Sequence, residues 1–268
     1  MIPNENYLNK ASEFWAIVKF ASELLGYSNR SIKSPGMKKY SKADFNIIES
    51  NYNLSSKTID EVLKYMNYRN SVIEDYIAPL LMNRDQAQKL FKKLHSKYKP
   101  KCALPYNKQK GQKKHLNYLS CIVNILTEVN LKGKAFCDCP RGLCLITDRY
   151  NKPIITLSRW MDGAYPTIHN PIAIWETKEY YGTTTFGSRV ADGVYETQLD
   201  GYEIFEAQKI LGRRIEHYLI VDDEFTWWIK GKSYLCRLID MMHMRLVDEV
   251  IFGREVITRW PEIVKKWT

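Results

Sequence analysis

Two carboxylates and a lysine near the middle of the chain are the residues best suited to chemistry. Asp162 follows an apolar segment at 153–157, and Glu176 and Lys178 end a second apolar segment that starts at Ile172. A break rich in glycine, proline and asparagine separates the two, which is typical of short strands joined by a turn. If the strands pair, Asp162 lies beside Glu176, and Lys178 points to the same face as Glu176. Such a group suits Mg²⁺, which binds carboxylate oxygens, keeps several waters and accepts phosphate oxygens.

The spacing of these residues resembles the motif of the PD-(D/E)XK nuclease superfamily, which includes many restriction endonucleases. Asp162 is followed, after thirteen residues, by Glu176-Thr177-Lys178, and Met161 stands where the motif has proline. The chain contains no other Asp/Glu-x-Lys triplet. The resemblance implies a Mg²⁺-dependent phosphodiesterase in which Asp162 and Glu176 bind the metal and Lys178 is the base that orients water. The alternative is an exposed strand end with an ordinary ion pair.

The basic residues are concentrated between Arg84 and His115. This segment holds eleven of the 40 lysines and arginines but only one of the 30 acidic residues, so 29 of each remain elsewhere. Concentrated positive charge favours a phosphate backbone, because binding releases condensed counterions. A solvated, lysine-rich loop without a partner is the simpler alternative. The nuclease-like motif favours nucleic acid, with double-stranded DNA as the partner, and the lysines expected to grip its backbone are Lys108, Lys110, Lys113 and Lys114.

The first hundred residues are predicted to be helical. Apolar residues at helical spacing and capping signals predict helices over 6–27, 41–50, 56–67 and 70–97. The short connection between the second and third helices makes a helix-turn-helix conceivable, but a plain helical bundle is the simpler interpretation. Prolines, a glycine and lysines predict a loop over 99–112. We therefore divide the chain into a helical, basic, DNA-contacting region at 1–114 and a nuclease core with C-terminal helices at 115–268.

The core region alternates predicted strands and helices. After a helix at 115–129 and the two strands described above, a helix is expected at 188–213 and a strand at 215–221. Two further helices are predicted at about 225–243 and 254–267. The apolar positions of the 188–213 helix are Val190, Val194, Leu199, Ile204 and Ile210. This order agrees with the α/β fold class that the resemblance implies, a restriction-endonuclease-like core in which helices flank a mixed central β-sheet.

Other polar residues are candidates for supporting roles. The superfamily often takes an extra acid from the helix before its core strands, and Glu128 is the candidate on the 115–129 helix. Ser188 and Arg189 follow a loop rich in hydroxyls and glycines, where backbone N–H groups at a helix start can receive a phosphate. A helix cap is the alternative role for Ser188. Three acids repeat every four residues on the same helix and can add a ligand, although a solvated acidic face is the simpler interpretation: Asp192, Glu196 and Asp200.

The cysteines raise the question of zinc. Cys137, Cys139 and Cys144 are closely spaced, and thiolates at short spacing can bind zinc. The paired Cys-x2-Cys spacing and an evident fourth ligand are missing. Reduced, partly buried thiols are therefore the favoured interpretation.

The sequence as a whole predicts an enzyme of the cytoplasm. The N-terminus carries Glu5 without a basic-then-apolar signal, and no uncharged run reaches membrane-spanning length. We expect a Mg²⁺-dependent endonuclease that hydrolyses DNA, with a type II restriction endonuclease as the leading hypothesis. A homodimer is expected, because a two-fold dimer matches a palindromic duplex. The alternatives are a structure-dependent repair or phage-defence nuclease, and a DNA-binding protein without essential catalysis.

Overall fold

A computed structural model describes residues 1–29, 36–106, 115–181 and 187–268. The four lysines expected to grip DNA lie outside the described residues, and their role stays a prediction: Lys108, Lys110, Lys113 and Lys114. No helix within the described ranges is long and apolar enough to cross a membrane.

The N-terminal region is helical, as predicted. It contains helices α1 (Ser12–Leu25), α2 (Asn46–Asn51) and α3 (Ser56–Ser71), and a two-stranded ribbon of β1 (Ser28–Asn29) and β2 (Gly36–Met37). Short 3₁₀ turns precede α1 and α2, at Glu5–Tyr7 and Lys42–Phe45. One apolar cluster joins the helices and includes Phe14, Val18, Phe45, Val62 and Tyr65. Burial of this cluster, rather than helix propensity alone, stabilises such short helices.

The single helix predicted over 70–97 is wrong. A π-helix at Val72–Ile77 and a 3₁₀ turn at Ala78–Leu80 continue α3, and the chain then breaks before α4 (Arg84–Tyr98). Pro79 lacks the amide hydrogen that a continuing helix needs. Asn83 then starts a new helix, since its side chain accepts from Gln86 N at 3.0 Å and the Gln86 side chain accepts from Asn83 N at 3.1 Å.

The core begins with α5 (Tyr118–Leu131) and a β-hairpin. Strand β4 (Pro153–Thr156) matches the strand predicted over 153–157, but it pairs with β3 (Leu145–Thr147) in a separate two-stranded sheet. The predicted pairing of this strand with the one that ends in Lys178 is therefore wrong. The strand that carries this lysine pairs instead with a short strand that directly follows Asp162.

The central sheet is mixed, as predicted, and it has four strands. In spatial order these are β5 (Gly163–Tyr165), β6 (Ala173–Glu179), β7 (Glu216–Asp222) and β8 (Glu249–Phe252). β5 runs antiparallel to β6, whereas β6, β7 and β8 are parallel. The register sets Gly163 opposite Trp175, so Asp162 lies at the level of Glu176.

Helices cover both faces of the central sheet. α6 (Ser188–Leu211) and α7 (Lys232–His243) pack on one face, and α4, α5 and α8 (Val256–Lys265) pack on the other. α7 follows a π-helix at Phe225–Lys230, and α8 follows a 3₁₀ turn at Gly253–Glu255. Trp175 on β6 lies in the apolar cluster of the α5 side, so its neighbours Glu176 and Ile174 face α6. The site residues of β6 are thus enclosed between the sheet and α6.

Candidate functional site

Glu176 and Lys178 lie on the same face of β6, as strand alternation predicts. Lys178 Nζ donates to Glu176 Oε1 at 2.7 Å, and Glu176 is only 3% exposed. Gly193 of α6 permits this packing. A Cβ at Gly193 would lie 2.8 Å from Tyr180 Oη and 3.3 Å from Lys178 Cδ. α6 therefore crosses directly over the lysine stem and holds its ammonium against Glu176.

Asp162 is fixed at the end of β6 by hydrogen bonds to the backbone and to Thr177. Its N–H donates to Trp175 O at 3.2 Å, and its Oδ2 accepts from Thr177 N and Oγ1, each at 2.8 Å. Gly163 is required beside it, because an added Cβ would lie 2.1 Å from the indole of Trp175. Asp162 and Glu176 line the same cavity. The structure therefore brings together the three residues of the predicted motif, Asp162, Glu176 and Lys178.

The environment of Asp162 disfavours its ionised form. Desolvation by the surrounding protein and the negative charge of Glu176 raise the pKa of Asp162 to about 6, against two hydrogen bonds from Thr177. The residue nevertheless keeps an exposed surface toward the cleft, so solvent and ions reach it. A cation bound there would favour the ionised carboxylate, since opposite charge lowers an acid's pKa.

Arg159 is a central residue of the site that sequence reasoning did not identify. Its Nη2 donates to Glu176 Oε1 at 2.6 Å and lies 3.2 Å from Glu196 Oε2. Its Nη1 donates to Asp200 Oδ2 at 2.9 Å. No spacing rule links Arg159 to these acids, because two of them belong to α6 and meet it only in the folded chain. The Arg159 guanidinium thus connects the segment between β4 and β5 to β6 and α6.

The acidic residues of α6 differ from the predicted solvated face. Asp200 is fully buried, and burial raises its pKa to about 7 even though Arg159 pairs with it. Burial alone would also raise the pKa of Glu196, but Lys178, at 2.9 Å, and Arg159 outweigh it and lower that pKa. Asp192 is exposed. The prediction of a solvated face is therefore wrong for Asp200.

The carboxylates of the site leave acceptor capacity unused. Glu176 Oε2 and Asp200 Oδ1 are buried and accept no hydrogen bond. Lys178 and Arg159 both bind Oε1 of Glu176, which leaves Oε2 without a donor. Burying an unpaired anionic oxygen is costly. A divalent cation would provide the missing partner.

The charge and the ligand type of the site fit the Mg²⁺ that the resemblance implies. Four acids, Asp162, Glu176, Glu196 and Asp200, surround two cations, so two negative charges remain when all are ionised. Asp162 and Glu176 would hold the ion. Within the described ranges no three His, Cys, Asp or Glu side chains form a metal-binding group. A bound ion would therefore take its other ligands from water or substrate, as Mg²⁺ commonly does.

Glu179, which lies next to the motif, caps α5. Its carboxylate accepts from Leu119 N and Ser120 N at 3.1 Å and from Ser120 Oγ at 3.0 Å. These are the unpaired amides of the first turn of α5, where negative charge is also favoured by the helix dipole. The Ser120 hydroxyl in turn lies 2.7 Å from Thr177 Oγ1, which binds Asp162. Glu179 thus fixes α5 against the end of β6.

Of the supporting residues Glu128, Ser188 and Arg189 that were predicted from sequence, Arg189 alone lines the cavity of the site. Glu128 accepts from Lys101 N at 3.0 and 3.1 Å, and it lies eight residues beyond Ser120, roughly 12 Å along the helix. It is therefore not brought to the carboxylate cluster, which consists of the four acids Asp162, Glu176, Glu196 and Asp200. Arg189 lines the same cavity as Asp162, whereas Ser188 is the first residue of α6 and Gly187 occupies the capping position. The zinc alternative gains no support among the described residues, because Cys137, Cys139 and Cys144 belong to no metal-binding group there.

Two family models match the chain. A model described as a domain of unknown function (DUF7690) matches residues 1–76, and one described as a domain of unknown function (DUF7687) matches residues 82–267. The second match covers more than half of the chain. The chain belongs to the DUF7687 family. No curated protein and no solved structure matches it.

The DUF7687 match contains every residue of the carboxylate cluster and begins at Met82, just before α4. α4 packs in the same apolar cluster as α5, through Phe91 and Leu94. The DUF7687 part of the chain therefore includes a helix that the sequence-based division at 114 assigned to the N-terminal region. That division stays a prediction.

Proposed function

We propose that this chain is a Mg²⁺-dependent endonuclease that hydrolyses DNA phosphodiester bonds. The observation that carries the proposal is the pairing of Asp162 with Glu176 beside Lys178, together with the buried Glu176 Oε2 that has no donor. The motif resemblance assigns the same three residues. A type II restriction endonuclease of the cytoplasm is the form we favour, and a structure-dependent repair or phage-defence nuclease is the alternative.

Each residue of the motif has a separate task in this proposal. Mg²⁺, when bound, would stabilise charge on the phosphate and make water more acidic. Asp162 and Glu176 would hold the ion, Asp162 from a position set by Thr177. Arg159 and Lys178 orient Glu176 by binding its Oε1, so that Oε2 is left for the ion. Because both cationic side chains bind Oε1 of Glu176, its Oε2 has no protein donor and can bind a metal ion.

Lys178 is an ammonium in this arrangement. Burial disfavours its charge, but Glu176 outweighs burial and raises the pKa of Lys178 above its usual range. The group therefore donates hydrogen bonds to a water or to a phosphate oxygen. To act as the base it must first lose a proton, which is easier when a bound cation weakens the attraction of Glu176.

The charge of α4 supports DNA as the partner. Lys89, Lys92, Lys93 and Lys97 are exposed, and none forms an ion pair with a residue in the described parts of the chain. Unpaired lysines on one helix are available to phosphate oxygens. For the homodimer that we propose, α6 offers an exposed stripe of large apolar residues that a second copy can cover: Tyr195, Leu199, Tyr202 and Ile210.

The deciding experiment is incubation with unmodified duplex DNA of varied sequence in Mg²⁺ and, in parallel, in EDTA. Discrete fragments in Mg²⁺ alone are expected for a sequence-specific endonuclease, and a smear would favour the structure-dependent or nonspecific alternative. Asp162→Ala should remove cleavage while binding persists. No cleavage of any substrate, combined with tight Mg²⁺-independent binding, would contradict the proposal and favour a DNA-binding protein without catalysis.

A further inference from the structure

Trp160 is the one exposed tryptophan of the chain. All seven tryptophans lie in the described ranges, and the other six are buried or half-buried, whereas 56% of Trp160 is accessible. An indole exposed to water lacks the favourable free energy of burying its apolar surface. Tryptophan is enriched at binding interfaces, where a partner covers the ring. Its position next to Arg159 places it at the candidate site.

The backbone that carries Trp160 is firmly anchored on both sides. Before it, Ser158 N donates to Glu203 at 2.9 Å, and Arg159 binds carboxylates of β6 and α6. After it, Met161 is 3% exposed in an apolar cluster, and Asp162 is bonded to β6. The exposed indole is therefore displayed by an ordered segment rather than by a loose loop. Such preorganisation lowers the entropy cost of binding a ligand.

A rigid wall lines the same cavity as Trp160. Buried Asn124 donates to Ala103 O at 2.9 Å and to Asp138 O at 3.0 Å, and Ala103 N donates to Asp138 Oδ2 at 2.6 Å. These bonds tie two loops to α5. The loops contribute Pro105, Cys139 and Pro140 to the cavity lining, together with Trp160.

The cavity is of a size for one flat ring rather than for a helix. Its volume is about 200 Å³. The lining also includes Asp162 and Glu176, so a group held there lies beside the proposed hydrolytic site. In duplex DNA the faces of the bases are covered by their neighbours, and only a base taken out of the stack offers a face to an indole.

We propose that Trp160 is a stacking platform for one unstacked nucleobase beside the scissile phosphate. The inference rests on the proposed nuclease function. Within that function it favours the structure-dependent alternative, whose substrate is single-stranded or locally unpaired DNA, over the restriction endonuclease. An indole stacks on any base, so the platform selects for strand structure rather than for sequence. The neighbouring residues Arg159 and Trp160 thus have different roles: Arg159 orients Glu176, and Trp160 stacks on the base.

Tryptophan fluorescence in EDTA tests the platform without any cleavage. Titration with a ten-nucleotide oligo(dT) should quench the emission of the full chain, and a ten-pair duplex in the same range should quench it much less. Trp160→Phe should remove the quenching, whereas Trp228→Phe, which removes a half-buried indole elsewhere, should leave it. Asp162→Asn should still be quenched, because it spares the platform.

Affinity measured with a labelled oligonucleotide gives a second, independent readout. Trp160→Ala should weaken single-strand binding roughly 5- to 150-fold, the equivalent of one stacked base, with a smaller loss for Trp160→Phe and little change for the duplex. Equal losses for both substrates, or no quenching, would overturn the inference. So would emission that changes with protein concentration alone, which would assign Trp160 to a contact between copies. Quenching without Mg²⁺-dependent cleavage would instead refute the nuclease function and leave the platform standing.

Discussion

Single residues of the site divide into those that strand geometry fixes and those that only the folded chain assembles. The common face of Glu176 and Lys178 was predictable from the two-residue period of a strand. Asp162 does lie beside Glu176, but through β5, which the sequence did not reveal, and not through the strand at 153–157. Arg159 and Asp200 were not predictable, because 40 residues separate them and they meet only through α6. Their pairing depends on tertiary packing that no local pattern encodes.

Removal of either carboxylate of the motif should abolish cleavage. Asp162→Asn and Glu176→Gln each remove a negative ligand without changing size, so we expect cleavage to fall at least about 100-fold, comparable to the loss of a strong electrostatic contact. DNA binding should stay the same or strengthen, because a negative charge facing phosphate is lost. Cleavage and binding are compared with those of Glu128→Gln, which lies away from the cluster. Cleavage at the normal rate in either site variant would refute the assignment.

Mg²⁺ should stabilise the protein through the same residues. Binding at a hundredfold excess over Kd adds about 2.7 kcal/mol to the free energy of unfolding, which raises Tm by roughly 5–10 °C for a chain of this size. Glu176→Gln should lose most of this increase, whereas Lys178→Ala should keep it, since the lysine is not a ligand. Differential scanning calorimetry with and without Mg²⁺ measures the Tm increase of each variant. An equal Tm increase in Glu176→Gln would place the ion elsewhere.

At the scale of elements, the long helix α6 was predicted well, whereas the helix expected over 70–97 is interrupted and the shortest strands were missed. α6 spans 188–211 against a predicted 188–213. Its faces were less predictable, because Leu199 and Ile210, expected in the core, are exposed. β5 and β8 were missed, since three or four residues give too little alternation to recognise. Such strands form because the neighbouring strand supplies their hydrogen bonds.

The cap that Glu179 provides should matter for stability and not for metal binding. Glu179→Ala leaves the first amides of α5 without an acceptor, so the free energy of unfolding should fall by about 1–2 kcal/mol. The Tm increase caused by Mg²⁺ should remain in this variant. Glu206→Ala, on the exposed side of α6, is the control and should change little. If Glu179→Ala had an unchanged Tm without Mg²⁺ but no longer showed the Tm increase that Mg²⁺ causes, Glu179 would be a metal ligand instead of a helix cap.

At the scale of the molecule, the charge of α4 should determine the salt dependence of DNA binding. Lys92→Ala with Lys93→Ala should flatten the slope of log affinity against log salt by up to about 0.9 per lost phosphate contact. The matched pair Lys57→Ala with Lys64→Ala removes the same charge from α3, the second helix of the conceivable helix-turn-helix. A flatter slope for the α3 pair alone would move the DNA surface to the N-terminal region.

The pH dependence of stability should reflect a buried carboxyl group that joins α4 to the sheet. Asp222 accepts from Met82 N at 2.7 Å and Asp223 N at 2.9 Å and from the Tyr181 hydroxyl. Burial nevertheless raises its pKa to about 7, against about 3.9 in an unfolded chain. The folded protein therefore holds this proton more tightly. The contribution of Asp222 to stability is complete below about pH 4 and is lost as the pH rises through about 7.

We accordingly expect the Tm measured without divalent ions to fall between about pH 5 and about pH 8. Asp222→Asn cannot ionise, so its Tm should depend less steeply on pH over this interval. Asp44→Asn is the control, because hydrogen bonds from Ser41 lower the pKa of Asp44 and its titration lies below the interval. Equal slopes for the unmodified chain and Asp222→Asn would show that the Asp222 carboxyl is ionised throughout. The proton would then belong to another buried acid, of which Glu179, with a pKa that burial raises to about 7, is the next to replace.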